Sequence, residues 1–294
     1  MILPYGHDQN VYGRQWITIG LIAVNVLVFA LTFLLGQGAD RDIEAALVEV
    51  ERVTEQYPDA RVSPAAVASL PPSARKDLPF VSDDPDDAGE PGEPELRWAV
   101  KRLVAAVNAK PTLRFGYRPG KPTALGFATH SFLHADVGHL AGNMLFLWLA
   151  GLVVECFWEH LAFLGLYLVA GAAGALAHHL SAPDSLIPMV GASGAIAGLM
   201  GAFVVGHPRA KINIFYAGWV VRPFVGRTAM RAWLVIPAWV GLQLVYGVTD
   251  KGQGVAYWAH VGGFALGVAA ALVMKWGGWV AIDGERMSSR VPSE

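Results

Sequence analysis

Six long apolar runs, separated by stretches that hold most of the charge, set the plan of this chain. The first, Trp16 to Gly36, has twenty-one residues and no charged side chain. That is long enough to cross a bilayer core as a helix. The apolar core of a cleaved signal peptide usually runs to only about 7–15 residues, so the segment reads as a retained span. The remaining runs are Leu140–Phe157, Leu161–Ala177, Leu186–Val205, Ala232–Tyr246 and Gly254–Trp276, and each predicts a transmembrane helix. The fourth is unusual. Counted from Ser193, only thirteen residues remain before His207 and Pro208. At 1.5 Å per residue they cover about 20 Å, short of a core of about 30 Å. A fourth helix that begins at Ser193 therefore sits below the membrane surface, with the preceding loop dipping in. Irregular backbone at that depth is tolerated where protein buries it or it lines a wet cavity.

Between the first two spans the chain turns polar and proline-rich. Ile43, Leu47, Val50, Val53 and Tyr57 recur at helical spacing, with Asp40 or Asp42 as a cap for the start. Ser63 and Pro64 read as another helix start with proline in first position. Seven acidic residues and three prolines lie between Asp83 and Glu95, a composition that suits a solvated, mobile loop. Glu95 to Asn108 predicts a third helix, apolar at Leu96, Val100, Leu103 and Val107 and basic at Arg97, Lys101 and Arg102. Its apolar face suits either a lipid surface or its own neighbours.

Composition moves in the same direction as the pattern. Of the 294 residues 54% are hydrophobic and 16% charged, and ten are tryptophan, which favours membrane interfaces. The net charge of −2 gives no support to nucleic-acid binding. A single cysteine, Cys156, excludes an intrachain disulfide framework and a multi-cysteine metal site. Basic residues fix the expected orientation: Arg209, Lys211, Arg222, Arg227 and Arg231 lie between the fourth and fifth spans with no acid among them. By the positive-inside rule that loop is cytoplasmic, as are both termini, while the large insert and the Ser193 end of the fourth helix lie outside.

Candidate chemistry centres on Ser193, flanked by Gly191 and Gly194. By itself such a motif also suits a small-residue contact between two membrane helices. His260 changes the reading, because a serine hydroxyl becomes a nucleophile when an adjacent base takes its proton. Six residues after Gly254, His260 is expected about 9 Å along the sixth helix, near the depth of Ser193. Ser193, Ala197 and Gly201 share one stripe, and His260, Gly263 and Gly267 another, so small residues let the two helices close. Acyl transfer also needs donors for an oxyanion. The Ser193 N–H at a helix start and the side chains of His139 and Asn143, four apart near the outer end of the second helix, can supply them. His130, His134, His178 and His179 raise a metal hypothesis, but no carboxylate or cysteine stands in a matching position, and neither metal nor cofactor is expected. No acid is placed to complete a triad either, since Glu155 is at the inner end of the second span and Asp250 is in a loop. A Ser193–His260 dyad is the expected unit.

The ordered set His130 to His134, His139 to Met144, Gly191 to Gly194 and Ala259 to Gly267 resembles the rhomboid family of intramembrane serine proteases, over roughly residues 125–275. The resemblance implies a six-helix core and cleavage of single-span membrane proteins in or beside their transmembrane segments, by a dyad through an acyl-enzyme. It carries the nucleophile onto Ser193, the base onto His260 and the oxyanion site onto Asn143, His139 and the Ser193 N–H. Two features depart from the family pattern. The aromatic residue often found one turn after the serine is here Ala197, with Tyr257 or Trp258 as substitutes, and the insert after the first span is much longer. The expected fold is an all-α, six-span membrane bundle with an extramembrane insert, in a bacterial inner membrane. Its divisions are 1–15 (cytoplasmic segment), 16–36 (first span), 37–122 (extracytoplasmic insert), 123–276 (catalytic core) and 277–294 (cytoplasmic tail). A non-cleaving binder of membrane clients is the competing reading, but relatives of that kind typically lack the serine or the histidine. A transporter would show two broken helices in related halves, and no such repeat is present.

Overall fold

The computed structural model describes residues 2–70, 75, 78, 80–82, 90–219, 223–249 and 255–278. The acidic stretch 83–89, Arg222, Asp250, Gly254 and the tail 279–294 lie outside the described residues. Among those described, five helices are long and apolar enough to cross a membrane: α1 (Trp16–Gln56), α6 (Val137–Trp158), α7 (His160–Ser181), α9 (Ala232–Thr249) and α10 (Tyr257–Trp276). The helix expected to be short is short. It is α8 (Ser193–Gly206), fourteen residues, or about 21 Å.

The chain divides into two compact units. One comprises residues 1–26, 134–183 and 191–294, the other 27–133 and 184–190. In the first, α8 is wrapped by α7 and α10 and has a buried residue at nearly every position. Its glycines decide how closely α10 approaches. A Cβ on Gly263 would overlap the Gly194 carbonyl, and one on Gly267 the Gly198 carbonyl. Gly201 makes a similar approach, its Cβ position lying 2.5 Å from the Phe264 oxygen. The stripe that meets α10 is thus Gly194, Gly198 and Gly201.

The connection between α8 and α9 forms a sheet where the sequence pattern predicts only a basic loop. Three antiparallel strands, β1 (Ile2–His7), β2 (Lys211–Trp219) and β3 (Pro223–Arg231), lie in that order. Ile212, Ile214, Phe215 and Tyr216 are residues that strands favour, and Ile214 is buried. Pairing of Leu3 with Phe215 and of His7 with Ile212 ties the N-terminal segment to the connection between α8 and α9.

Glu155, on the last turn of α6, is fully buried and has a structural task. Its carboxylate accepts the N–H groups of Ile17 at 2.9 Å and Thr18 at 2.7 Å, and His160 Nδ1 lies 2.6 Å away. Those two amides open α1, so the carboxylate caps the positive end of the helix. Replacement by alanine is expected to cost about 2 kcal/mol, the upper range for a lost cap. Glu155→Gln, which keeps an acceptor, should lose less. Thermal unfolding of both variants in detergent checks this, and equal losses would contradict it.

In the second unit α1 does not end at Gly36. It continues through Gly38 and Asp40 to Gln56, so the helix expected to start afresh at Asp40 or Asp42 is the same one. At about 62 Å it is about twice the thickness of a bilayer core. Ser63 precedes the short α2 (Pro64–Val67), and α3 runs from Glu93 to Ala109. Leu96, Ala99, Val100 and Leu103 of α3 pack with Ala46, Val50 and Val53 of α1 in a core of their own, with Val107 partly buried against it. The apolar face of α3 is therefore committed to protein, and Trp98 stays exposed. Lys110 pairs with Asp40 at 2.7 Å. Beyond α4 (Pro111–Phe115), Tyr117 forms an isolated antiparallel bridge with Met189, tying down the segment that leads to Gly191. The short helix α5 (Ala124–Thr129) follows, capped by the Thr123 hydroxyl.

Candidate active site

Ser193 is the first residue of α8, and His260 the fourth of α10. The sixth helix begins at Tyr257 and not at Gly254, so His260 sits in its first turn, about 4.5 Å from the helix start. Both side chains therefore belong to the opening turns of two parallel helices held together by glycine contacts. Ser193 Oγ lies 2.8 Å from His260 Nε2. The other ring nitrogen, Nδ1, lies 2.7 Å from Oε1 of Gln243 on α9. Trp239, one turn earlier on α9, places its ring 5.6 Å from the imidazole at an interplanar angle of 34°.

The aromatic partner of His260 thus comes from a different helix than expected. Ala197 is fully buried. The two residues expected to substitute, Tyr257 and Trp258, have other partners. Tyr257 packs on Tyr246, and Trp258 donates to the Gly247 carbonyl at 3.1 Å.

His139 and Asn143 both converge on the backbone just before Ser193. Asp136 caps α6 by accepting the His139 N–H at 2.9 Å, which fixes the first turn. The Ala135 N–H points at His139 Nδ1, 3.5 Å away, leaving Nε2 to carry the ring proton. Asn143 is buried, and its Nδ2 spends one hydrogen on the His139 carbonyl at 3.0 Å, keeping a second. Gly191 has φ +121°, and a Cβ there would lie 2.7 Å from His139 Nε2 and 3.7 Å from Asn143 Nδ2. Glycine is needed for the backbone angle and for the space between these donors. The other histidines divide. His134 is buried edge-on to His139 with ring centroids 5.1 Å apart, whereas His130 Nδ1 contacts the Phe127 carbonyl at 2.8 Å within the second unit.

An apolar cavity of about 340 Å³ is lined by Phe146, Met200, Phe203, Ile214, Ile236 and Trp239. Trp239 is shared by the cavity and His260. A serine hydroxyl in contact with an imidazole, with N–H donors converging on the backbone before it, can support acyl transfer.

The profile of the rhomboid domain matches residues 121–277. The chain belongs to the rhomboid family. With its apolar helices, this makes it an integral, multi-pass membrane protein. It is 34% identical over 177 residues to Rhomboid protein 1, mitochondrial, of Saccharomyces cerevisiae, covering 58% of this chain and 47% of that protein. It is 36% identical over 103 residues to Rhomboid protease GluP of Bacillus subtilis, covering 34% of this chain and 20% of that one. A third relative, RHOMBOID-like protein 4 of Arabidopsis thaliana, is 28% identical over 144 residues, which are 49% of this chain and 32% of the relative. The matches thus span less than half the length of these curated relatives.

Proposed function

We propose that this rhomboid-family chain is an intramembrane serine endopeptidase that cleaves peptide bonds in or next to the transmembrane segment of single-span proteins. The observation that carries the reading is the 2.8 Å contact between Ser193 Oγ and His260 Nε2 in the first turns of two apolar helices. In the first half-reaction His260 Nε2 takes the Oγ proton as Oγ attacks the carbonyl carbon of the scissile bond. The oxyanion that forms is held by the Ser193 N–H, His139 Nε2–H and Asn143 Nδ2–H. Collapse breaks the C–N bond, His260 returns its proton to the leaving amine, and an ester on Ser193 remains. Water, deprotonated by His260, then hydrolyses the ester and frees the acid product.

The same reading sets the topology. Pairing of β1 with β2 supports an N-terminus on the side of the basic connection, and the parallel run of α8 and α10 supports the same side for the C-terminal end. We take that side as the cytoplasm of a bacterial cell, with the insert outside. The insert beyond residue 36 is read as a peripheral domain, its first helix being the continuation of α1.

The test is cleavage of a single-span reporter by the purified protein in lipid vesicles, with the new termini mapped by mass spectrometry. Cuts in or beside the membrane segment are expected, and cuts confined to a distant soluble domain would overturn the reading. Loss of one oxyanion donor typically lowers turnover by about 10²–10³-fold. Asn143→Ala should fall near 10²-fold, because His139 and the Ser193 N–H remain. Unchanged turnover would make Asn143 a purely structural residue.

A further inference from the structure

Gln243 is a buried neutral amide near the middle of an otherwise apolar helix, and polar groups in membrane spans are expensive enough to need a reason. Trp239 and Gln243 are four residues apart on α9, hence on one face, and both address His260. One restrains the ring plane and the other one of its nitrogens.

We infer that Gln243 is a positioning residue that holds His260 in the Nδ1–H tautomer, so that the working unit is Ser193–His260–Gln243. The inference rests on the dyad proposed above. Gln243 Oε1 accepts the Nδ1–H at 2.7 Å, which leaves the Nε2 lone pair for the Ser193 proton 2.8 Å away. Without that acceptor the ring is free to carry its proton on Nε2, where it cannot act as a base. When Nε2 does take the serine proton, the Nδ1–H···Oε1 bond becomes charge-assisted and stabilises the imidazolium. A carboxylate would do this more strongly, but its charge is costly at this depth, whereas an amide is cheaper to bury. The amide takes no proton at neutral pH, so His260 alone is the base.

Other titratable groups that bear on His260 are His139 from α6 and His178 from the end of α7. Helix α8 has no titratable side chain other than the serine hydroxyl, and α9 adds only Tyr246. Variants at Gln243 leave all of these in place.

The experiment compares full-length wild type, Gln243→Leu and Gln243→Glu in lipid vesicles, measuring kcat and KM for the reporter against pH. Gln243→Leu strands a buried donor and should lower kcat by about 10- to 100-fold with little change in KM. Its residual activity should keep the acid limb of kcat/KM at lower pH than wild type, because the imidazolium has lost its acceptor. Gln243→Glu restores an acceptor and adds a negative charge, so kcat should return to within about tenfold of wild type. Its acid limb should move to higher pH, since the charged imidazolium is now favoured. If Gln243→Leu fails to fold, Gln243→Glu decides alone by the direction of that limb. Wild-type kcat in Gln243→Leu, or an acid limb unmoved in Gln243→Glu, overturns the assignment. A failure of the dyad itself reads differently: Ser193→Ala would then keep cleaving.

Discussion

Ser193→Ala and His260→Ala are each expected to lower turnover of a single-span reporter by about 10⁴- to 10⁶-fold, with no loss of folded protein. Removing Oγ deletes the attacking atom. Removing the imidazole deletes the base that contacts it, since Ser193 Oγ meets Nε2 at 2.8 Å. The two act as one unit, so the double variant should be no slower than either single one. Neither change alters the glycine backbone contacts that hold α8 against α10. The thermal midpoint in detergent should therefore stay near that of wild type for Ser193→Ala and fall modestly for His260→Ala, which leaves buried Gln243 without this partner. A single variant that retained more than about a hundredth of wild-type turnover would be incompatible with the proposed chemistry.

Gly267→Val is expected to have the largest effect on the fold. A Cβ at this position overlaps the carbonyl oxygen and Cα of Gly198, which are backbone atoms and cannot rotate away. Helices α8 and α10 would have to separate, with a cost of about 3 kcal/mol or more, at or above the top of the usual range for overpacking. The same separation would pull Ser193 from His260, so activity should disappear along with the lost stability. Gly142 on α6 is the control, since a Cβ there meets nothing within 4 Å. Thermal unfolding and reporter cleavage, measured for Gly267→Val and Gly142→Ala, separate the local contact from a general intolerance of side chains at glycine. Equal behaviour of the two variants would contradict the argument.

How much of this was legible before the structure depended on the kind of signal. Spans and their order follow from hydropathy, and the shortness of α8 from the distance between Ser193 and Pro208, because bilayer thickness sets a ruler along the chain. Ser193, His260, His139 and Asn143 stood out as polar residues in or bordering apolar runs. Gln243 answers to the same rule, but a neutral amide lacks the charge by which an acid third member is expected. Trp239 carries no sequence mark that separates it from nine other tryptophans; only the packing of α9 against α10 brings it to the imidazole.

Two misreadings have clear physical origins. The loss of hydropathy after Gly36 predicts an end to the first span, yet hydropathy reports a membrane boundary and not the helix end at Gln56. Gly36 and Gly38 cost about 1 kcal/mol each in a helix, and the packing of Ala46, Val50 and Val53 outweighs that. The sheet leaves no sequence signal because β1 is six residues long, contains Pro4, and finds its partner more than two hundred residues away. Strand pairing at that separation leaves no local periodicity to read. By contrast, the spacing of Leu96, Val100 and Leu103 on α3 predicts an apolar docking face, and that face packs on α1.

The central claim, a serine nucleophile activated inside the membrane, is most directly tested by reaction with a fluorophosphonate probe. The full-length protein is incubated with the probe in lipid vesicles, and the modified residue is located by mass spectrometry. A single adduct on Ser193 is expected, absent from Ser193→Ala and strongly slowed in His260→Ala. An adduct on another residue, or labelling of Ser193→Ala at the wild-type rate, would contradict the account.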